Sequence, residues 1–281
     1  MTTVQPLPLR VRVFAGEDVD SYARRLAARN YTTVSDIEHA LKSEGAVSSL
    51  GPKRGRLRLQ VWRDLGVLSP HAFASAVSVE RHPVRVRKLC LLCTHGEVVY
   101  GRMPQVGLVC VKHHRWLSTS EPSVMHLEAA WRAERFFRRK IAPSGVLYDA
   151  PIMQIALHAA VAGVPGDVVE ARRQVSGVEE VHPLVYAEQV AIARMLCRPD
   201  IVGPATSPEF DIHERHEVAR VAFDAALADV RGARGWAAHR EVDTALSRIT
   251  ELRRPYRDGT DTYEQDEYGI LRFALAHATA S

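Results

Sequence analysis

The stretch "KLCLLCTHGEVVYGRMPQVGLVCVKHHRWLS", residues 88–118, holds three of the chain's four cysteines and two adjacent histidines. Its spacing is Cys90-x2-Cys93-x16-Cys110-x2-His113. Each short turn can aim two ligands at one point, so two such knuckles can share one tetrahedral metal ion, and thiolates with an imidazole suit zinc. Between the knuckles, "EVVYGRMPQVGLVC" reads as two β-rich runs broken around Gly101 to Pro104, and their pairing would return Cys110 to Cys93. His113 repeats the two-residue spacing of the first knuckle and is the expected fourth ligand, with His114 as the alternative. Four protein ligands leave no open position for substrate or water, so the expected zinc is structural. That reading predicts a zinc-stapled β-hairpin module.

A disulfide framework is the competing use of clustered cysteines. The opening "MTTVQPLPLRVRVFAGEDVD" alternates apolar and charged residues, which is not the continuous apolar core of a signal peptide, and no run of eighteen apolar residues occurs. The chain therefore reads as cytoplasmic, with no membrane association, where thiols stay reduced. At 281 residues with 46% apolar content it can bury one large core or two ordinary ones.

The net charge of +4 conceals an uneven distribution. Residues 1–145 carry 23 Lys and Arg against 12 Asp and Glu, a balance of +11, and residues 146–281 carry 14 against 21, a balance of −7. A polyanion such as DNA would be drawn to the first half by counterion release, and the acidic half suits a protein partner better. The expected phosphate contacts are Lys53, Arg54, Arg56 and Arg58 in "KRGRLR" and Arg81, Arg85 and Arg87 in "RHPVRVRK". "WRAERFFRRK" (131–140) sets Arg132, Arg135 and Arg139 along one side of a helix, with Phe136 nearby.

The N-terminal half reads as short helices joined by loops. In "GEDVDSYARRLAARN" Val19, Tyr22, Ala23 and Leu26 share a face, with acids early and arginines late as the helix dipole favours. "SDIEHALKSEG" shows a capping-box pattern at Ser35 and Glu38, an apolar face of Ile37, Ala40 and Leu41, and a glycine stop at Gly45. Leu59, Trp62 and Leu65 define a third helix, and Ser69 with Pro70 would begin a fourth. Adjacent short helices of this kind resemble a helix-turn-helix.

Residues 7–118 resemble the TniQ/TnsD family, the target-selection proteins of heteromeric transposons. The resemblance rests on "LPLRVRVFAGEDVDSYARRLAARN", with Pro8, Arg10, Gly16, Glu17, Ser21, Tyr22, Arg25, Leu26, Ala27 and Asn30 in the family's order. It rests also on the knuckles "CLLC" and "CVKHHRWL", with Cys90, Cys93, Cys110, His113 and Leu117 in place. It implies a zinc-containing DNA-binding adaptor that recruits an AAA+ ATPase or a transposase-like protein of a mobile element, and a second copy of the chain is a further candidate partner. The reading from a different class is a non-enzymatic protein-binding scaffold or regulator in which zinc only stabilises the fold.

Residues 121–281 read as an α-helical domain of five helices with an acidic tail, "YRDGTDTYEQDEYG", beside a TniQ-like region over 1–120. "PEFDIHERHE" could align Glu209, His213, His216 and Glu217 on one helix, which without a partner motif reads as an exposed polar face. The chain has no glycine-rich phosphate loop, HExxH or GxSxG, so no enzyme is expected. The expected class is mostly α.

Overall fold

The computed structural model describes residues 4–47, 49–50, 55–73, 86–102, 107–144 and 146–257. These cluster into two compact units, Met1–Val106 and Gly107–Ser281. The protein is mostly α-helical, with short β-hairpins at the knuckles and a helical bundle after them.

In the first unit, α1 (Val19–Arg29), α2 (Val34–Ser43) and α3 (Arg56–Gly66) surround a core of Tyr22, Leu26, Ile37, Leu41, Trp62 and Leu65. The faces are those their helical spacing requires, and a four-residue turn at 30–33 joins α1 to α2, which pack on each other. The cap of α2 lies two residues earlier than the sequence suggested. Thr33, in extended conformation, accepts from the Asp36 N–H, and the Asp36 carboxylate accepts from the Thr33 N–H, so these two form the capping box in place of Ser35 and Glu38. Gly45 takes the expected left-handed conformation at φ 70°. Residues 69–73 form a turn, and the rest of the expected fourth helix lies outside the described residues.

The residues behind the family resemblance build the frame of this unit. Glu17 is buried and accepts two hydrogen bonds from Arg25, at 2.8 and 2.9 Å, along with the Phe14 N–H. Burial pushes the Glu17 carboxyl up against the pull of the Phe14 N–H and Arg25. Ser21 accepts from the Tyr100 N–H at 3.0 Å, which fastens α1 to the hairpin carrying the first knuckle. Asn30 exchanges both amide hydrogen bonds with the Leu9 backbone, closing the N-terminal segment over the helix. Tyr22 fits against Gly66, where a Cβ would stand 2.2 Å from the phenol oxygen. Burial, then the Glu17 charge, pushes that phenol up to about 12.

The second unit contains seven α-helices among its described residues. They are α4 (Glu128–Phe136), α5 (Pro151–Gly163), α6 (Gly166–Ser176), α7 (Val181–Leu196), α8 (Pro199–Ala205), α9 (Ile212–Ala226) and α10 (Gly235–Arg257). The expected five correspond to α4, α5, α7, α9 and α10. Missing from that reading were α6, which buries no residue and so shows no apolar face, and α8, whose seven residues include Gly203 and Pro204. α5 packs on α7 and α10, and Ala156, Ala159 and Ala160 at the contact are fully buried. The tail from 258 onward lies outside the described residues. No single described helix is long and apolar enough to cross a membrane.

Candidate metal centre and basic surface

Each knuckle closes its own hairpin. β1 (Val86–Lys88) pairs antiparallel with β2 (Tyr100–Arg102) across the first knuckle, and β3 (Val109–Cys110) pairs with β4 (Arg115–Trp116) across the second. The expected pairing of the two runs flanking Gly101 to Pro104 does not occur among the described residues. The reason is local: a knuckle is itself a tight turn, so the strands that pair are those entering and leaving it. In the first, the Cys93 and Thr94 N–H groups donate to the Cys90 carbonyl at 2.9 and 3.1 Å. The buried Thr94 hydroxyl donates to the Glu97 carbonyl at 2.5 Å, and the Gly96 N–H closes on Leu91 from a left-handed φ of 86°. In the second, the Leu117 N–H donates to Leu108 at 2.8 Å, and the Val124 N–H donates to His114 at 2.7 Å.

Cys90, Cys93, Cys110 and His113 bring one ligand atom each to within 4.8 Å of one another, and none of the chain's cysteines is in a disulfide. This group could hold a metal ion. His113 turns Nδ1 toward the Cys110 sulfur, 3.6 Å away. His114 stands outside the group. Its φ of 47° turns it aside, and its ring stacks on Trp131 with centroids 4.9 Å apart and planes 14° from parallel. The open choice between the two histidines therefore resolves to His113.

Directly behind the second knuckle lies a buried ionic network of the second unit. Glu134 is fully buried; its Oε1 accepts from Arg138 Nε at 2.6 Å and from the Tyr148 hydroxyl at 2.7 Å, and its Oε2 accepts from the Tyr186 hydroxyl at 2.7 Å. Arg138 Nη2 donates to the Val109 carbonyl at 3.0 Å, one residue before Cys110. Burial and then the Glu134 charge push both phenols well above their ordinary range. Trp116 packs edge-on against His182 and Tyr186 of α7, so β4 is wedged against the bundle.

The expected phosphate contacts fare unevenly. Arg56 is exposed at the start of α3 and Arg87 is half-buried in β1. Arg58 is neutralised by an ion pair with Glu38, and its side chain is only 14% exposed. Lys53, Arg54, Arg81 and Arg85 lie outside the described residues.

The polar helix "PEFDIHERHE" does not gather its own residues into a ligand set. Asp211 caps α9, Glu217 pairs with Arg220, and His216 donates from Nε2 to Asp243 of α10 at 2.8 Å. The partner absent from the sequence reading is thus His239-x3-Asp243 on α10, an i, i+4 pair that only the packing of α9 on α10 brings to His216. His239 packs against Phe223 and His216, and its Nε2 is buried without a hydrogen-bond partner among the described residues. Burial pushes this imidazole down, His216 and Arg220 add to the effect, and Asp243 and Asp224 oppose it.

A depressed folded-state value means that the native form takes up this proton less readily than the unfolded chain. The contribution is therefore intact above the unfolded value of about 6.5 and is lost as pH falls below it. Thermal unfolding of the full chain should be level from pH 8 to about 6.5 and decline toward pH 5, and His239→Gln should flatten that acid limb. An unchanged limb in the variant would assign it to other groups.

No family model, no curated protein and no solved structure matches this chain.

Proposed function

We propose that this protein is a zinc-containing DNA-binding adaptor of the TniQ/TnsD kind, whose basic half holds DNA and whose acidic helical half recruits a protein partner such as an AAA+ ATPase or a transposase. The observation that carries the reading is the Cys3His group in the basic half of the chain. Zinc fits it. A tetrahedral ion holding a thiolate at about 2.3 Å and an imidazole at about 2.0 Å sets those atoms roughly 3.5 Å apart, and Cys110 Sγ lies 3.6 Å from His113 Nδ1. With four protein ligands the ion folds the module and does no chemistry.

DNA is the favoured polyanion because the excess positive charge, +11 over residues 1–145, accompanies a helical pair and a metal-stapled hairpin. The test is duplex binding by the full chain across a salt series. Affinity should fall steeply with salt, and Arg56→Gln should weaken binding to all sequences about equally while reducing the slope by about one. Arg58→Gln should change the slope little, since its charge is already taken up by Glu38. Absent or salt-independent binding would leave the protein-binding scaffold as the surviving reading.

A further inference from the structure

The second unit carries the basic run 131–140 noted in the sequence, and packing adds to it a cation from another helix, Arg194. α4 displays Arg132 and Arg135, and the π-helical turn Phe137–Ile141 that continues it carries Arg139; all three are exposed. The first two are not loose. The Arg135 guanidinium carbon stands 4.8 Å from the centre of the Trp131 ring and that of Arg132 stands 5.9 Å away, and His114 stacks on the same ring. Next to them Arg194, exposed on α7, lies 5.0 Å from the centre of the Phe136 ring.

Acidic groups on α4 do little to cancel this charge. Glu128 forms an exposed pair with Arg132, a contact worth little in water, and Glu134 is buried with Arg138. A guanidinium resting on an aromatic face loses less side-chain freedom on meeting an anion, and its fork of N–H donors matches phosphate oxygens. Near one end of this row, the turn between Cys110 and His113 exposes Lys112.

We propose that Arg132 and Arg135, seated on Trp131, Arg194, seated on Phe136, and the exposed Arg139 form a second phosphate-binding surface that grips the backbone of duplex DNA, separate from the contacts expected at Arg56 and Arg87. The proposal rests on the DNA-binding reading above and assigns that function to a face of the second unit. Exposed cations clustered in this way can contact neighbouring phosphates of one strand, which supplies affinity and orientation without reading sequence. His114 belongs to the same surface. The left-handed turn that removes it from the metal group places it as a buttress of the Trp131 seat.

The experiment compares the full-length chain with a combined Arg132→Gln, Arg135→Gln, Arg139→Gln variant, using a fluorescent duplex over a salt series. Circular dichroism confirms the fold of the variant, whose changes are confined to exposed side chains. Each lost phosphate contact should lower the slope of log affinity against log salt by about 0.9, so the variant's slope should fall by about three, equally for unrelated sequences. The matching Arg→Lys set should keep most of the slope. A Gln variant with the unaltered slope and affinity overturns the proposal while leaving DNA binding intact. If the unaltered chain binds no duplex, the DNA-binding reading and this proposal fall together. Displacement by polyglutamate as effective as by duplex, charge for charge, would make this an acidic-protein surface and would also overturn it. Should the Gln set fail to fold, Arg139→Glu alone serves, with an expected loss of affinity of about tenfold or more.

Discussion

Cys90→Ser is expected to cost the protein its metal and to unfold the knuckle hairpins. A closed Cys3His zinc site contributes on the order of 10 kcal/mol to folding at neutral pH, comparable with the whole stability of an ordinary domain. The segments it organises cannot replace that energy. β3 and β4 have two residues each, the two ladders are two-stranded, and isolated hairpins of that size are marginal in water. The helices of each unit have apolar cores of their own, built on Trp62 and Tyr22 in the first and on Met153 and Tyr186 in the second. The loss should therefore appear as an early, local transition ahead of the helical one. Elemental analysis should give one zinc per unaltered chain and none in the variant, and a strong chelator should reproduce the variant's melting curve. Unaltered protein without zinc, or a Cys90→Ser variant with unchanged melting, would remove zinc from the account.

The metal group was legible because its information is local. Two ligands separated by two residues are brought together by one turn whatever the rest of the chain does, so the spacing of Cys90, Cys93, Cys110 and His113 was enough to assemble the group. The strand pairing around it was not legible in the same way. The apolar runs on either side of Gly101 to Pro104 suggested one hairpin, but a knuckle turn competes for the same strands and prevails because its ends are already adjacent. The choice between His113 and His114 depends on a single positive φ, which no residue type at that position signals.

Long helices that bury an apolar face were read correctly; α6, which buries none, and the short α8, broken by Gly203 and Pro204, were missed. Charges were the hardest to place. A run of basic residues says how many cations a segment carries but not which are already paired, so Arg58 looked available until Glu38, twenty residues away in sequence, proved to hold it. The converse holds for Arg194, whose seat on Phe136 exists only once α4 and α7 are packed. His216 and Asp243 met for the same reason, through a contact between helices that no local pattern encodes.

Glu134→Ala is the second change expected to have a large effect, because it empties a site in which every group depends on that carboxylate. Both phenols, Tyr148 and Tyr186, donate to it from buried positions, and each buried hydroxyl left without an acceptor costs about 1–3 kcal/mol. Arg138 loses its counter-charge as well, although its partial exposure softens that penalty. The sum should be at least about 3 kcal/mol, with Glu134→Gln milder because an amide keeps one oxygen acceptor. Gly107→Ala tests the same network from the opposite side: its Cβ would fall 1.6 Å from Glu134 Oε1, and no rotation of the new methyl group avoids that overlap. Since Arg138 also holds the Val109 carbonyl beside Cys110, both variants should lose zinc to a chelator faster than the unaltered chain, besides unfolding at lower denaturant. Tyr186→Phe, which removes one donor and leaves the carboxylate in place, should cost less than either and leave zinc release nearly unchanged. If Glu134→Ala unfolds at the same denaturant concentration as the unaltered protein, the network does not carry the stability assigned to it here.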